Sequence, residues 1–480
     1  MGKRKFFILV LLGLYSCTSV PDHDLAIASS QVVLPIDEIL QTGSFSSGDG
    51  PQKEWWSGFQ DSDLNSLIET ALKLSPTLQI AESRLKEACE AAWQKRAALF
   101  PEVNFHTDSN WQHLAKDGFF RAFATTVPAV VNDINFDLEF TYEFDFWGKH
   151  RDIYKAALGT AQSMLAEKMQ AELILTTSIV YSYSQLQLLL QKKELLEKKE
   201  KNRKRIENLR TAREDHDLDT EIQQLSSQIK TLNTAAMIVE INSQIDVQLH
   251  KIKALAGLSQ DAPLLVSLKK LIPLPVTLAK TLSLDLVSQR PDLIAQKASL
   301  ESAAKLIDAA KTDFYPNVNL KALVGFESVY WSKLFKGDNY SGSLDPAIHL
   351  PIFTAGRLRA QLREKVAAFN EAVYTYNEII LRAAQEVLDG LTIVSSLQKE
   401  IEIRKNSVEA SRQQDLLIQK RRKHGLSDEM AELKAKNQTI DYALALTDLE
   451  YGKQLATILL VRALGGGYKE PSGGLAKCGS

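Results

Sequence analysis

Phe136-Asp137-Leu138-Glu139-Phe140-Thr141-Tyr142-Glu143-Phe144-Asp145-Phe146 alternates apolar and polar side chains along its whole length. Successive strand side chains point to opposite faces, so as a strand this stretch has one apolar face and one largely ionised face. Its six large apolar groups match a tilted strand that crosses a bilayer. A half-buried strand of a soluble sheet alternates in the same way, so the pattern alone leaves both readings open.

Three more stretches repeat the pattern. Val103, Phe105, Thr107, Ser109 and Trp111 alternate with Asn104, His106, Asp108 and Asn110. Val318, Leu320, Ala322, Val324 and Phe326 alternate with Asn319, Lys321, Leu323 and Gly325, and Leu344 to Ile352 alternates with Ser343 to Pro351. Pro346 and Pro351 confine the last strand to weakly paired positions. The predicted polar face carries Asp108, Asp137, Glu139, Glu143, Asp145 and Asp345 against Lys321, an acidic surplus that would draw cations into a lumen. Solvation of a wide, unselective lumen explains the same residues. Four strands are too few to close a barrel, and three copies would supply twelve. The segments 112–135 and 327–341 would be the external loops.

The chain is internally duplicated. Ser75-Pro76-Thr77-Leu78 matches Arg290-Pro291-Asp292-Leu293, and Phe100-Pro101 matches Tyr315-Pro316, at a separation of 215 residues in both cases. Further on, Gly148 matches Gly356 and His216-Asp217-Leu218 matches His424-Gly425-Leu426, each 208 apart. Each half reads as a short amphipathic helix, a longer helix opened by proline, two strands, then a very long helical hairpin. From Gly148 to about Arg213 there is no proline and the apolar spacing is helical, which predicts roughly 100 Å of helix. The partner helix runs from about Asp219 to Ala256, and Arg357 to Lys423 with Glu429 to Leu464 repeats the hairpin. A coiled-coil rod shares such patterning, but strands flanking both hairpins argue against it.

Near-neutral charge, −2 over 480 residues, argues against a nucleic-acid binder. Lys3, Arg4 and Lys5 precede an apolar run from Phe6 to Tyr15 too short to span a bilayer, an export signal. Leu14-Tyr15-Ser16-Cys17 resembles a bacterial lipobox, which implies that Cys17 becomes the lipidated first residue, and Thr18 favours the outer membrane. No second long apolar run predicts a membrane-crossing helix. Cys89 and Cys478 are too few for a disulfide framework, and a bridge between them is not expected. The division is a signal peptide at 1–16, a lipidated extension at 17–53, repeats at 54–256 and 277–464 joined by a linker at 257–276, and a flexible tail at 465–480.

Glu54-Trp55-Trp56-Ser57-Gly58-Phe59, Phe100-Pro101, Arg290-Pro291-Asp292-Leu293, Pro351-Ile352-Phe353-Thr354-Ala355-Gly356-Arg357 and Ala463-Leu464-Gly465-Gly466-Gly467-Tyr468 occur in that order. Together they resemble the TolC-like outer-membrane efflux family, most closely its lipoprotein, NodT-like branch. The resemblance implies an α+β membrane protein: a homotrimer with a shared 12-stranded outer-membrane β-barrel continued by a periplasmic α-barrel of helical hairpins. It also implies a periplasmic adaptor and an inner-membrane pump of the RND type, and a passive conduit for small molecules with no cofactor and no metal.

The same resemblance assigns adaptor contacts to the hairpin turns, Gly425, Leu426 and Ser427, and by the repeat Asp217, Leu218 and Asp219. Asp217 stands where glycine is expected, which suggests a less strained or differently shaped first tip. Basic residues precede each turn and acids follow it, and helix macrodipoles account for that pattern by themselves. Gate aspartates of the family fall here on Ala431 and Lys434, leaving Asp428, Glu429 and Glu432 as substitutes. A type I protein-secretion duct is the alternative within this architecture, and a coiled-coil surface lipoprotein the alternative of another class. No HExxH, GxSxG or GxxxxGK[ST] pattern points to an enzyme.

Overall fold

The computed structural model describes residues 20–28, 46–47, 51–118, 121, 126–264, 277–278, 289–468 and 478. The expected signal peptide and Cys17 lie outside the described residues, as does the short helix expected to open the second half.

The first half begins with a 3-10 turn, Trp55–Phe59, that buries Trp55, Trp56 and Phe59. Helix α1 (Ser62–Leu74) is capped by Asp61, whose carboxylate accepts from the backbone of Asp63 and Leu64. Helix α2 (Pro76–Ala97) opens on proline, where the missing N–H costs nothing. Strands β1 (Glu102–His113) and β2 (Val130–Phe144) follow, then α3 (Lys149–Glu214) and α4 (Glu221–Leu255). The second half repeats the order: α5 (Pro291–Thr312), β3 (Asn317–Ser328), β4 (Tyr340–His349), α6 (Arg357–Lys423) and α7 (Glu429–Ala463). Helices α2 and α5 are both 22 residues, α3 and α6 are 66 and 67, and α4 and α7 are both 35. Each long helix leaves its strand through a left-handed glycine, Gly148 or Gly356, at φ 84° in both.

The four strands form one antiparallel sheet in the order β1-β2-β3-β4. Phe105 lies opposite Leu138, Phe136 opposite Phe326, and Ala322 opposite Leu344, so one face is apolar across the sheet. Two strand ends differ from the sequence reading. β2 starts six residues before Phe136 and stops at Phe144, and β4 stops at His349, before Pro351.

Helices α3 and α6 are the longest elements and pack against helices of both levels to build a wall. Beside the sheet the packing order is α2-α3-α5-α6, and at the far end it is α4-α3-α7-α6. The main core lies at the change-over. There Ile179, Tyr183 and Leu186 of α3 meet Trp55, Trp56 and Ile68 on one side and Ile245 and Ile252 of α4 on the other. One stretch of α3 is long and apolar enough by composition alone to cross a membrane. It is 72% buried inside the subunit, as the central helix of this core must be.

Arg290 fastens the second half. Buried among α5, α6 and α7, its guanidinium forks onto Asp292 at 3.0 and 2.8 Å and reaches Glu386 at 2.8 Å. It also donates to the carbonyl of Ala463 at 3.0 Å, a free acceptor at the end of α7.

Of the expected tail, residues 465–468 and 478 are described. Gly465 and Gly466 are buried, and Tyr468 donates to Glu172 at 3.2 Å. Cys478 forms a disulfide with Cys89 of α2, Cα to Cα 5.2 Å, which overturns the expectation that the two stay apart. Spacing hid the pair, because 389 residues separate partners that the fold makes neighbours.

Candidate functional site

The register places six of the seven predicted lumen residues on one face. His106 lies opposite Asp137, Asn104 opposite Glu139, and Asp108 opposite Asn135. Glu143 faces Asn319, Thr141 faces Lys321, and Lys321 faces Asp345. Lys321 pairs with Glu139 at 2.8 Å, Glu143 meets His150 at 3.3 Å and Asp108 meets His106 at 3.5 Å, and the acids outnumber the lysine on this face. Gly325 lies opposite Asp137, and a Cβ there would come within 2.1 Å of the Asp137 carboxylate and 2.3 Å of the Phe136 carbonyl. Only glycine leaves room for the acid.

Asp145 is a correction. It sits beyond the end of β2, and its carboxylate accepts from the backbone N–H of His150 and Arg151, both at 3.0 Å, and from the Arg151 side chain at 3.2 Å. Burial works against its ionisation, but these bonds more than offset that and hold the carboxyl below the usual carboxylate range. It therefore anchors the first turn of α3 instead of lining a pore. Asp133, opposite Asn110 on the polar face, takes its place in the set.

At the far end both hairpins turn in the same way. Leu218 N–H donates to the Arg213 carbonyl and Leu426 N–H to the Arg421 carbonyl, both at 2.8 Å. Asp217 has φ 57° and Gly425 φ 72°, so the first tip keeps the shape of the second. The left-handed backbone costs a non-glycine residue about 1 kcal/mol, making the first tip the more strained of the two, the reverse of the sequence reading. Leu218 and Leu426 project outward, 63% and 68% exposed. Asp219 does not. Its side chain is 9% exposed and receives Arg210 at 3.2 Å and Arg213 at 3.3 Å, so it shapes the turn from within.

None of the three gate substitutes is a bare carboxylate. Asp428 caps α7, accepting from Ala431 N–H at 2.7 Å. Glu429 forks onto Arg205 of α3 at 2.8 and 3.1 Å. Glu432 binds Lys436 and Arg422, both at 2.6 Å. The Arg205 guanidinium holds the Glu429 carboxyl below the usual carboxylate range, and Lys436 with Arg422 does the same for Glu432. The Arg205 fork ends a ladder of polar pairs between α3 and α7: Ser184 with Gln454 at 3.0 Å, Lys192 with Asp448 at 3.0 Å, Lys199 with Asp441, and Asn202 with Asn437 at 3.0 Å. These rungs join one repeat to the other, which composition within either repeat does not reveal.

A sheet with one apolar and one acidic face, continued by a helical wall built twice, is the frame on which the comparisons bear. The sequence pattern of the family described as outer membrane efflux protein matches residues 67–258 and 282–466. The chain belongs to this family. Among its relatives, the multidrug resistance outer membrane protein MdtP of Shigella flexneri is 28% identical over 429 residues, 87% of each chain. MdtQ of Escherichia coli, another multidrug resistance outer membrane protein, is 28% identical over 477 residues, 96% of this chain and 97% of its own. The solved outer membrane protein VceC of Vibrio cholerae is 30% identical, with a TM-score of 0.77 over 87% of this chain and all of that one. The outer membrane channel CmeC of Campylobacter jejuni shares the fold at a TM-score of 0.83. This efflux protein is thus an outer-membrane channel component with a TolC-like fold, whose apolar sheet face meets lipid and whose acidic face meets water.

Proposed function

We propose that three copies of this efflux protein close into a conduit that passes small molecules from a periplasmic adaptor and an RND-type inner-membrane pump to the outside. The observation that carries the reading is the pair of open edges. In one copy the sheet ends on β1 and β4, the upper wall on α2 and α6, and the lower wall on α4 and α6. Ile222, Ile229 and Leu232 of α4 and Leu381, Ile403 and Leu417 of α6 are exposed along those edges, between 57% and 79%. A neighbouring copy that brings its β4 and α6 to β1, α2 and α4 covers them, and three such joints give twelve strands and twelve helices.

The remaining roles follow from position. Leu218 and Leu426, with Asp217, Gly425 and Ser427, form the surface offered to an adaptor. The Arg205–Glu429 fork holds α7 against α3, whereas Glu432 ties α7 to Arg422 of its own hairpin, and opening separates the fork as the tips move outward. Cys17 is the lipid attachment point. Val20, three residues later, packs with Ile307, Phe314 and Leu358 at the sheet end of the wall. The drug-related names of MdtP and MdtQ support small-molecule cargo.

The test is the mass of the detergent-solubilised protein with its conductance in planar bilayers. A trimer that conducts supports the reading, and a monomer without conductance removes it.

A further inference from the structure

We infer that the loop between β3 and β4, residues 329–339, docks the phosphorylated glycolipid of the outer leaflet. The loop does not stand clear of the barrel. Phe335 packs edge-on against Phe136 and Phe326, at 5.5 and 5.7 Å between ring centres, and Trp331 reaches Phe136 at 6.5 Å. Phe136 and Phe326 are register partners on the apolar face, so the loop folds down over the lipid side of the sheet. Leu334 of the loop and Ile134 of the same apolar face are fully buried.

The loop is also built to hold this position. Lys333 and Lys336 N–H groups donate to the carbonyls of Tyr330 and Lys333 at 3.1 and 3.0 Å, and Ser328 pins Tyr330 at 3.1 Å. Trp331 and Phe335 keep 58% and 68% of their surface open beside the band that lipid covers. With twelve residues tilted by about 45°, β3 rises roughly 28 Å, close to the height of the apolar band, which sets the loop at headgroup level. Aromatic residues are stable there. Lys333, held over the Tyr330 ring at 4.9 Å, and Lys336 are exposed at the same level, with Asp338 the acid of the loop.

Apolar anchors and two exposed cations on one short loop match one occupant, a lipid A type molecule with acyl chains against Phe335 and Trp331 and phosphates at Lys333 and Lys336. Continuity with the lipid-covered face excludes a water-soluble anion, which would have no use for the anchors.

The experiment uses the full-length protein in phosphatidylethanolamine vesicles carrying either bisphosphorylated lipid A or phosphatidylglycerol at equal phosphate. After extraction in mild detergent, co-purifying lipid is quantified by mass spectrometry. The native protein retains lipid A over phosphatidylglycerol, and K333Q/K336Q loses about fivefold of that retention per lysine. Both substitutions are on the surface and leave the fold intact. Equal retention of lipid A by native and K333Q/K336Q protein overturns the inference, as does equal retention of the two lipids by the native protein. Failure to insert into either vesicle would instead strike the outer-membrane reading.

Discussion

Arg290→Ala should be among the most damaging single substitutions outside the core. The residue is 6% exposed, and its guanidinium satisfies two carboxylates and one helix-terminal carbonyl, joining α5, α6 and α7 at one point. Removing one partner of a buried ion pair costs roughly 3 to 5 kcal/mol, because the charges left behind have lost their counter-ion. Asp292, with its side chain 20% exposed, carries most of this, whereas Glu386 at 37% recovers much of its loss from water. Arg290→Lys keeps the charge but not the fork, and should lose roughly 1 to 3 kcal/mol. The assay is denaturant unfolding in detergent, followed by tryptophan emission. An Arg290→Ala protein within about 1 kcal/mol of the parent, or a lysine variant equal to it, would refute the idea that three helices depend on this side chain.

Gly325→Ala should abolish folded, heat-modifiable protein on gels, and Asp137→Gly should not rescue it, since the Phe136 carbonyl is as close to the new methyl as the acid is. Replacing Asp137, Glu139, Glu143 and Asp345 by their amides should lower cation preference in reversal-potential measurements. Asp145→Asn should leave selectivity alone and destabilise the start of α3 instead. Glu429, the carboxylate that bridges α7 to Arg205 of α3, is lowered from 4.5 in the folded state, so its contribution to closure is complete above about 4.5 and fades as pH falls through the lowered value. Leak conductance should therefore be flat from pH 5 to 8 and rise in stronger acid; a rise near neutrality would assign the latch to other groups. Peptide mapping without reductant should recover Cys89 joined to Cys478, and its absence from the periplasmic form would remove that tie.

Legibility followed how local each determinant is. The bounds of α3 and α6 could be read almost to the residue, because a glycine starts each and no proline intervenes. The start of β2 could not, because Asn132 interrupts the apolar side. Its amide oxygen accepts from Ser109 Oγ at 2.8 Å, a polar contact across two strands that alternation within one strand cannot show. Asp145 continues the alternation and so has the signature of strand, although the chain turns away at Gly148 and the acid serves the next helix. At the tips the charges were visible and their pairing was not, since Arg205 and Glu429 come from different repeats. Asp219 carried the right charge for an outer contact, but its two arginines turn it inward.

Because α3 and α6 pass through both levels of the wall, each subunit behaves as a single stave of a cask. A ring of strands and a ring of helices cut from the same staves must close on the same number, and any drift in curvature at one level is resisted by the other. Neither ring can gain or shed a member alone. Bore and subunit count are therefore tied together along the whole length, and substitutions on one long helix act at a seam that runs from the membrane to the tips.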